Sequence, residues 1–312
     1  IIFSVNENRK ISDFNFYKKK FKKIKKKLNF IVEGHIIYVA DNLGYTYAYN
    51  YKINEVVWAK NYKIPFNSNL KIFNNKIIIS NQNNTLYILN KNSGELIKSI
   101  PTEEFFIENN FRNNLSVDNR GQLFFLNSFG TLHSIDLKLM QVVWFNNFNP
   151  SLNLTSSQYF EGSEIINTDK VIIISANKKT YLIDSTNGSI IKKFNLSYKI
   201  KPVILNNKVF ILSDNNFLIS INLNDGNILY SYDISKINDL NTSMLKKKIF
   251  KEMMVLNSEI FIFLSNSYAL NFNINGTFKN LIKLQEKIKS NPISIQSSIL
   301  YINKNNKLIM LN

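Results

Sequence analysis

Residues 170–184 read KVIIISANKKTYLID, and residues 208–222 read KVFILSDNNFLISIN. Each stretch begins with β-branched or aromatic residues, passes through a polar turn and returns in a second alternation of apolar and polar residues, which is typical of a β-hairpin. Each ends on Asp or Asn, whose side chain can bond its own backbone and begin the next turn. The two stretches therefore predict two hairpins of the same design.

The same block recurs along the whole chain. Eight copies of fifteen residues begin at Ile1, Ile36, Lys76, Gln122, Lys170, Lys208, Glu259 and Ser298. The third and fourteenth places are apolar in all eight copies, and the fifteenth is always Asn or Asp. Successive copies start 35 to 51 residues apart, and a period of about 40 residues is that of a β-propeller blade.

Each copy has room for four strands. A short apolar stretch precedes the hairpin, such as LKIF before Lys76, and another follows it, such as ELIKSI after Gly94. The sequence therefore predicts an all-β fold with little helix. We expect an eight-bladed β-propeller of four-stranded antiparallel blades, formed as a single domain by residues 1–312.

The two ends of the chain leave the number of blades open. The first block begins at the second strand of a blade, and the last block stops after the third. We therefore expect a segment preceding Ile1 to complete the first and last blades, because a closed ring leaves no open sheet edge. The second choice is a seven-bladed propeller, in which residues 11–20 form the closing outer strand and the first block is not a hairpin.

Composition excludes several kinds of site. The chain has no cysteine and only two histidines, His35 and His133, which excludes disulfides, thiolate metal sites and multi-histidine metal sites. Both histidines fall at strand positions, where a satisfied, half-buried side chain is the more frequent outcome. No phosphate-binding glycine loop and no serine-nucleophile motif occurs. We therefore expect no catalytic residue, no metal and no cofactor.

The formal charge of +17 comes from 36 lysines against 3 arginines. Proteins that read nucleic acids favour arginine, and the abundance of Lys, Asn and Ile is typical of an A/T-rich genome. The charge therefore predicts a solvated surface and no nucleic-acid partner. The lysine-rich run Lys18–Lys27 has two interpretations: lysines that protect a sheet edge from wrong pairing, or a patch for anionic lipid headgroups.

Glycine and tryptophan occupy fixed places after the blocks. Gly94, Gly188 and Gly226 each follow the closing Asn or Asp by four residues, and Trp58 and Trp144 lie four residues beyond that place. The pattern Asp/Asn-x-x-x-Gly-x-x-x-Trp resembles the repeat of the quinoprotein-type (PQQ-like) β-propellers. In that family the tryptophan docks against neighbouring blades. The resemblance implies a blade-docking role for these five residues, although no single copy carries both Gly and Trp.

Two subfamilies share this repeat, and the sequence is more similar to one of them. The quinone-dependent dehydrogenases are longer, and many carry a cysteine pair, whereas the BamB-type lipoproteins are single propellers without a cofactor. The resemblance therefore implies a non-enzymatic scaffold in the periplasm of a Gram-negative bacterium, attached to the outer membrane through an anchor upstream of this chain. Its partner would be the outer-membrane β-barrel insertase, and the protein would be a monomer within that complex. The alternatives are a PQQ- or metal-dependent oxidoreductase and a periplasmic propeller with another protein partner.

The longest connections between blocks are candidates for partner binding. The three longest spacings place extra residues around positions 101–118, 147–168 and 236–255. Aromatic and cationic side chains on such loops are typical of interface cores, whereas the opposing interpretation is that the aromatic residues pack inward and cap the blades. The candidate residues are Phe105, Phe106, Phe111, Arg112, Phe148, Tyr159, Phe160, Lys246, Lys247, Lys248 and Phe250.

Overall fold

The structure is a computed structural model that describes residues 2–5, 16–17, 27–103, 111–149, 160–198, 200–237, 250–284, 287–295, 298–305 and 308–311. Within these ranges the chain is built from β-strands, and the one helical element is a 3-10 turn at Ile234–Lys236. None of the described helical structure is long or apolar enough to cross a membrane. The predicted all-β fold is therefore confirmed.

The strands form four-stranded antiparallel sheets in the order of the chain. Sheet 1 comprises β2 (Leu28–Glu33), β3 (Ile36–Asp41), β4 (Tyr45–Asn50) and β5 (Glu55–Asn61). Sheet 2 comprises β6 (Lys71–Phe73), β7 (Lys76–Ser80), β8 (Leu86–Asn90) and β9 (Leu96–Ile100). Sheet 3 comprises β10 (Asn114–Val117), β11 (Gln122–Leu126), β12 (Thr131–Asp136) and β13 (Gln141–Asn147).

The later sheets repeat this order. Sheet 4 comprises β14 (Ile166–Asn167), β15 (Val171–Ala176), β16 (Lys179–Asp184) and β17 (Ile190–Phe194). Sheet 5 comprises β18 (Val203–Leu205), β19 (Lys208–Leu212), β20 (Phe217–Asn222) and β21 (Ile228–Asp233). Sheet 6 comprises β22 (Phe250–Leu256), β23 (Glu259–Leu264), β24 (Tyr268–Asn273) and β25 (Phe278–Lys283).

The seventh sheet combines strands from opposite ends of the sequence. Its order is β1 (Ile2–Val5), β28 (Leu308–Leu311), β27 (Ser298–Ile302) and β26 (Ile293–Ile295). We expected residues preceding Ile1 to supply its outer strand, but β1 pairs antiparallel with β28 and supplies it instead. This pairing satisfies backbone groups that would otherwise form an open sheet edge.

The described residues thus contain seven four-stranded sheets, which is the smaller of the two blade counts expected from the sequence. Residues 6–15, which the hairpin of the first block requires, lie outside the described residues. The other seven blocks all form the predicted hairpins of adjacent strands. In five of these hairpins the first place lies opposite the fifteenth, as in Lys76 with Asn90 and Gln122 with Asp136.

The described residues fall into two compact units. One lies within Lys10–Asn177 and Ile183–Ile190 and contains sheets 1 to 3 with β14 and β15. The other lies within Ile1–Arg9, Lys178–Leu182 and Ile191–Asn312 and contains sheets 5 to 7 with most of β16 and β17. In each unit, the core is the apolar packing between successive sheets.

Sheet 2 shows why the blocks carry runs of apolar residues. Successive side chains of a strand point to opposite faces. Ile77 and Ile79 therefore pack into the cluster shared with sheet 1, whereas Ile78 packs into the cluster shared with sheet 3. All three are fully buried. A strand that is covered on both faces needs apolar residues at every position.

A repeated contact between a long side chain and a glycine joins successive sheets at four places in the described part of the chain. The indole ring of Trp58 in sheet 1 lies directly over Gly94 of sheet 2, and its Nε1 donates to the Lys91 carbonyl oxygen at 2.9 Å. Trp144 of sheet 3 lies over Gly188 of sheet 4 in the same way. The interacting Trp and Gly therefore belong to consecutive copies of the repeat, which is why no single copy needs both.

Other side chains take the tryptophan place at later seams. Tyr230 of sheet 5 lies over Gly276 of sheet 6, and its hydroxyl donates to the Ile274 carbonyl oxygen at 3.1 Å. The stem of Lys192 covers Gly226: a Cβ built on that glycine would lie 2.9 Å from the lysine Cβ. The contact with the glycine of the next sheet is thus kept even where the side chain that covers it is not aromatic.

A β-bulge precedes the docking side chain in the outer strands of sheets 1, 3 and 5. In sheet 1, Tyr49 pairs with Val56 but Ala48 pairs with Trp58, so Val57 is the extra residue. The register shifts at the corresponding place in sheets 2, 3, 5 and 6. A bulge re-aims the residue that follows it. In sheets 1, 3 and 5 that residue is Trp58, Trp144 and Tyr230 respectively, and each of these side chains contacts the next sheet.

Replacing Gly94 with alanine should test this contact against a matched control. Gly94 has a φ of +69° and Gly34 a φ of +58°, so both substitutions carry a similar backbone strain. A Cβ on Gly34 meets no atom within 4 Å, whereas a Cβ on Gly94 overlaps the Trp58 ring. We expect Gly94→Ala to lower the free energy of unfolding by about 1–3 kcal/mol more than Gly34→Ala, measured by urea denaturation. Equal losses for the two variants would show that the contact carries no stability.

Candidate interaction site

Strand direction brings two kinds of loop together in sheets 1 to 3. Because neighbouring strands are antiparallel, the turn between the second and third strands lies at the same end as the connection to the next sheet. In sheet 3 the amide of Phe148, in the connection, donates to the Gly130 carbonyl oxygen of the turn at 2.8 Å. We call this end, formed by residues 41–45, 62–67, 81–85, 101–103, 111–113, 127–131 and 148–149, the turn–connection end.

Buried Asx side chains hold the turns at this end. Asp41, Asn81 and Asn127 occupy the sixth place of their blocks and are at most 1% exposed. Asn127 Oδ1 accepts from the backbone amides of Phe129 and Thr131 at 3.1 and 3.0 Å. The side chains of Asp41 and Asn81 accept from the amides two and four residues onward in the same way. These bonds satisfy amides that the tight turn removes from the ladder.

Asn127 also begins a polar network that links sheets 2 and 3. Its Nδ2 donates to Glu103 Oε2 at 2.8 Å and to Thr102 Oγ1 at 3.1 Å. His133 Nε2 lies 3.1 Å from the same Glu103 oxygen. Asn84, in the turn of sheet 2, donates from Nδ2 to the Glu103 carbonyl oxygen at 3.0 Å. The network therefore fixes the start of the connection that continues to Phe111 and Arg112.

The Glu103 carboxylate is held in its ionised form. Partial burial raises its pKa, but hydrogen bonds from His133, from its own backbone amide and from Asn127 lower the pKa to about 2. An anion that accepts several hydrogen bonds is stabilised relative to its protonated form. Glu103 thus remains a charged anchor over the whole neutral range.

The two histidines have different surroundings. His133 is 6% exposed and lies between the rings of Phe125 and Phe145, with centroid distances of 6.0 and 5.9 Å. Its Nδ1 has no hydrogen-bond partner in the described part of the chain, so it is more buried and less satisfied than expected from the sequence. His35 is exposed, and its Nδ1 lies 3.4 Å from the Tyr51 hydroxyl.

The aromatic candidates divide into buried and undescribed residues. Phe148 and Phe160 are 7% and 3% exposed. Phe160 packs edge-to-face on Phe111 at a centroid distance of 5.0 Å and also contacts Gly130. These rings therefore pack inward and stiffen the turn–connection end, as the opposing interpretation held. Phe105, Phe106, Tyr159 and Lys246–Lys248 lie outside the described residues.

Arg112 and Phe250 lie in different units of the structure. Arg112 is exposed, and its guanidinium donates to Asn29 Oδ1 on β2, near the Glu164 carboxylate. Phe250 begins β22 in the other unit and is half-buried against the core of sheets 5 and 6. The structure therefore groups Phe111, Arg112, Phe148 and Phe160 within one unit, and Phe250 is not part of that group.

Asp41, Asn81, Asn127 and Glu103 are functional positions that were not predicted from the sequence. The sixth place of the block carries Asp, Asn or Ser in most copies, and this column is a signal for the buried turn residues. Glu103 offers no such signal, because only the fold brings it to His133. Among the described residues, no group of three or more His, Cys, Asp or Glu side chains could hold a metal ion.

The Asn127→Asp variant should separate the two hydrogen-bonding roles of this side chain, which accepts from the turn amides and donates to Glu103. An aspartate keeps the oxygen that accepts from the turn amides, but it places a second carboxylate against Glu103. We expect Asn127→Asp to lower the free energy of unfolding at pH 7 by about 1–3 kcal/mol. Asn81→Asp, at the equivalent place without an acidic neighbour in the network, should cost less than half as much. A larger loss for Asn81→Asp would contradict the network.

The lowered pKa of Glu103 predicts that the free energy of unfolding depends on pH. Its pKa is lowered on folding, so the stability it contributes is fully present above its ordinary pKa of 4.5 and is lost as the pH falls from there toward about 2. The difference in urea midpoint between the wild type and Glu103→Gln should therefore be largest above pH 5 and shrink below pH 4. Glu161→Gln, at an exposed carboxylate, serves as the control and should show no such trend.

Comparisons with known proteins agree with this architecture. Residues 7–243 match the family model described as "Outer membrane protein assembly factor BamB". None of the curated proteins matches the sequence significantly. BamB from Moraxella catarrhalis superposes with a TM-score of 0.70 at 14% identity, over 91% of this chain and 83% of that chain. Raptor from Chaetomium thermophilum has a TM-score of 0.57 at 10% identity, over 91% of this chain but only 27% of the other. The fold is a β-propeller of the BamB type, and this chain belongs to the family of the outer membrane protein assembly factor BamB.

Proposed function

We propose that this protein is a non-enzymatic scaffold in the assembly of outer-membrane β-barrel proteins. The observation that carries the proposal is the match of residues 7–243 to the BamB family. The proposal places the protein in the periplasm of a Gram-negative bacterium, attached to the outer membrane as a lipoprotein. Its partner is the outer-membrane β-barrel insertase, and it binds no cofactor.

The turn–connection end supports a docking role. Its loops are held by buried side chains, so a partner would meet a surface that has already lost its conformational freedom. Arg112 is exposed at this end, and an arginine can anchor an interface through directed hydrogen bonds. In this proposal Phe148 and Phe160 act from within, by fixing the connection. Phe105, Phe106, Tyr159 and Lys246–Lys248, which belong to the connections after sheets 2, 3 and 5 in the sequence, remain proposed contacts.

A charge reversal at Lys246–Lys248 should test the proposed interface. The full-length protein and its triple Lys→Glu variant are expressed in a Gram-negative host, and the outer membrane is solubilised. We expect the β-barrel insertase to co-purify with the wild type and to be reduced at least fivefold with the variant, because reversed charges repel the partner. The thermal midpoint should stay nearly unchanged, since surface charges contribute little to stability.

The matched control reverses three lysines at the turns between the first and second or the third and fourth strands of a sheet. Lys52→Glu, Lys138→Glu and Lys208→Glu together change the net charge by the same amount, and all three side chains are exposed. Insertase capture should be retained in this control. Equal loss in both variants would point to net charge alone, and stoichiometric quinone or calcium in the purified protein would instead favour an oxidoreductase.

A further inference from the structure

The structure describes residues at both ends of the lysine-rich run Lys18–Lys27. Tyr17, just before the run, donates from its hydroxyl to Asp41 Oδ2 at 2.5 Å. The backbone amide of Lys27, the last residue of the run, donates to Asn42 Oδ1 at 2.8 Å. Asp41 ends β3, and Asn42 begins the turn that leads to β4. Both ends of the run are therefore attached to the same turn of sheet 1.

The first of these attachments is supported by packing as well as by the hydrogen bond. Phe16 stacks on Tyr47 of β4 at a centroid distance of 4.1 Å, which fixes the residue before Tyr17. Burial raises the pKa of the Tyr17 hydroxyl above its usual range, and the bond to Asp41 raises it further. The hydroxyl therefore keeps its proton and donates to the carboxylate.

This placement separates the two interpretations of the run. Lysines that protect a sheet from wrong pairing would belong to an outer strand. Asp41 and Asn42 lie between the second and third strands of sheet 1, whose outer strand is β5. The outer strand of sheet 7 is β1, which pairs with β28. Both ends of the run therefore lie away from the outer strands, which favours the interpretation as a site for anionic headgroups.

The turn that holds the run also carries exposed lysines and an exposed apolar side chain. Lys63 lies against this turn, because a Cβ built on Gly44 would be 3.0 Å from the Lys63 nitrogen. Lys27 and Lys63 are exposed, and Leu28 is 46% exposed. Asp41 is buried, and its carboxylate already accepts from turn amides. We call this surface, formed by Lys27, Leu28, residues 41–45 and Lys63, the sheet 1 tip.

Charge distinguishes the sheet 1 tip from the rest of the turn–connection end. Outside the tip, the residues of that end include Glu103 and Arg112, one charge of each sign. The tip carries Lys27 and Lys63, and residues 18–26 of the attached run contain seven more lysines. A lysine is a compact charge without the fork geometry of arginine. Clustered lysines therefore suit a headgroup surface, whose charges are mobile, better than carboxylates fixed on a protein.

We propose that the sheet 1 tip contacts the surface of an anionic phospholipid membrane. Lys27 and Lys63 lie among the headgroup phosphates, and Leu28 enters the boundary between headgroups and acyl chains. The hydrogen bonds at Asp41 and Asn42 order the tip before it meets the lipid, which lowers the entropy cost of the contact. The inference does not rest on the proposed function, because this contact requires lipid and no protein partner.

The first test compares two pairs of exposed lysines in the full chain. Lys27→Glu with Lys63→Glu reverses the charge of the tip, and Lys52→Glu with Lys138→Glu makes the same change at turns between third and fourth strands. Binding is followed by co-sedimentation with vesicles of phosphatidylglycerol and phosphatidylcholine. We expect the tip pair to weaken binding at least about tenfold, because each lysine near an anionic surface adds attraction. The control pair lies a strand length away and should change binding less than about twofold.

A dye locates the contact without changing the charge of the lysines. The chain has no cysteine, so Leu28→Cys and Ile53→Cys can each carry one environment-sensitive dye. Leu28 and Ile53 are 46% and 60% exposed, but Ile53 lies in a turn at the other end of sheet 1. With phosphatidylglycerol vesicles, the emission of the dye at position 28 should shift to the blue and that at position 53 should not. Vesicles of phosphatidylcholine alone should leave both unchanged.

The proposal is wrong if any of four results is obtained. Equal losses for the two lysine pairs would show an effect of net charge alone. Equal binding to vesicles of phosphatidylcholine would remove the role of the lysines, and an unchanged dye at position 28 on bound protein would place the contact elsewhere. Retained vesicle binding with lost insertase capture in the tip pair would assign the tip to a protein partner. Insertase capture is measured separately, so failure of the proposed function leaves the vesicle result unchanged.

Discussion

Apolar packing between successive sheets is the constraint on which the rest of this structure depends. A four-stranded sheet that is apolar on both faces cannot remain folded alone, because each face must be removed from water. Sheet 2 shows this directly, since Ile77 and Ile78 are neighbours in sequence but belong to two different cores. Every blade therefore requires a neighbour on each side, and the repeat follows from that requirement.

The glycine and tryptophan columns serve the same constraint at the outer strands. Gly188 leaves room for the face of Trp144, and the indole N–H then reaches the Ser185 carbonyl oxygen at 3.2 Å. The same geometry is kept by Tyr230, and by the stem of Lys192 where no ring is present. The position thus selects for a long side chain that can lie flat on a glycine, and an aromatic ring fills it best.

The two ends of each sheet differ in how their polar groups are satisfied. At the turn–connection end, buried Asx side chains and the Glu103–His133–Asn127 network replace ladder hydrogen bonds inside the fold. At the opposite end, the closing Asn or Asp of five blocks bonds exposed turn amides, as Asp136 does with Lys138 at 2.7 Å. The first arrangement fixes the loops through buried hydrogen bonds, and the second is a solvated turn.

By itself, the sequence determined seven of the eight predicted hairpins and the four-stranded repeat, because the apolar columns and the closing Asn or Asp recur at fixed places in each block. It also identified the docking columns at Trp58 and Gly94. Only the tertiary structure decided which copies those columns join, that Ile2–Val5 pair with β28, and that Glu103 meets His133. It also decided that Phe148 and Phe160 point inward. These features depend on contacts between residues far apart in the chain, and no local pattern of side chains encodes which distant partner a residue will meet.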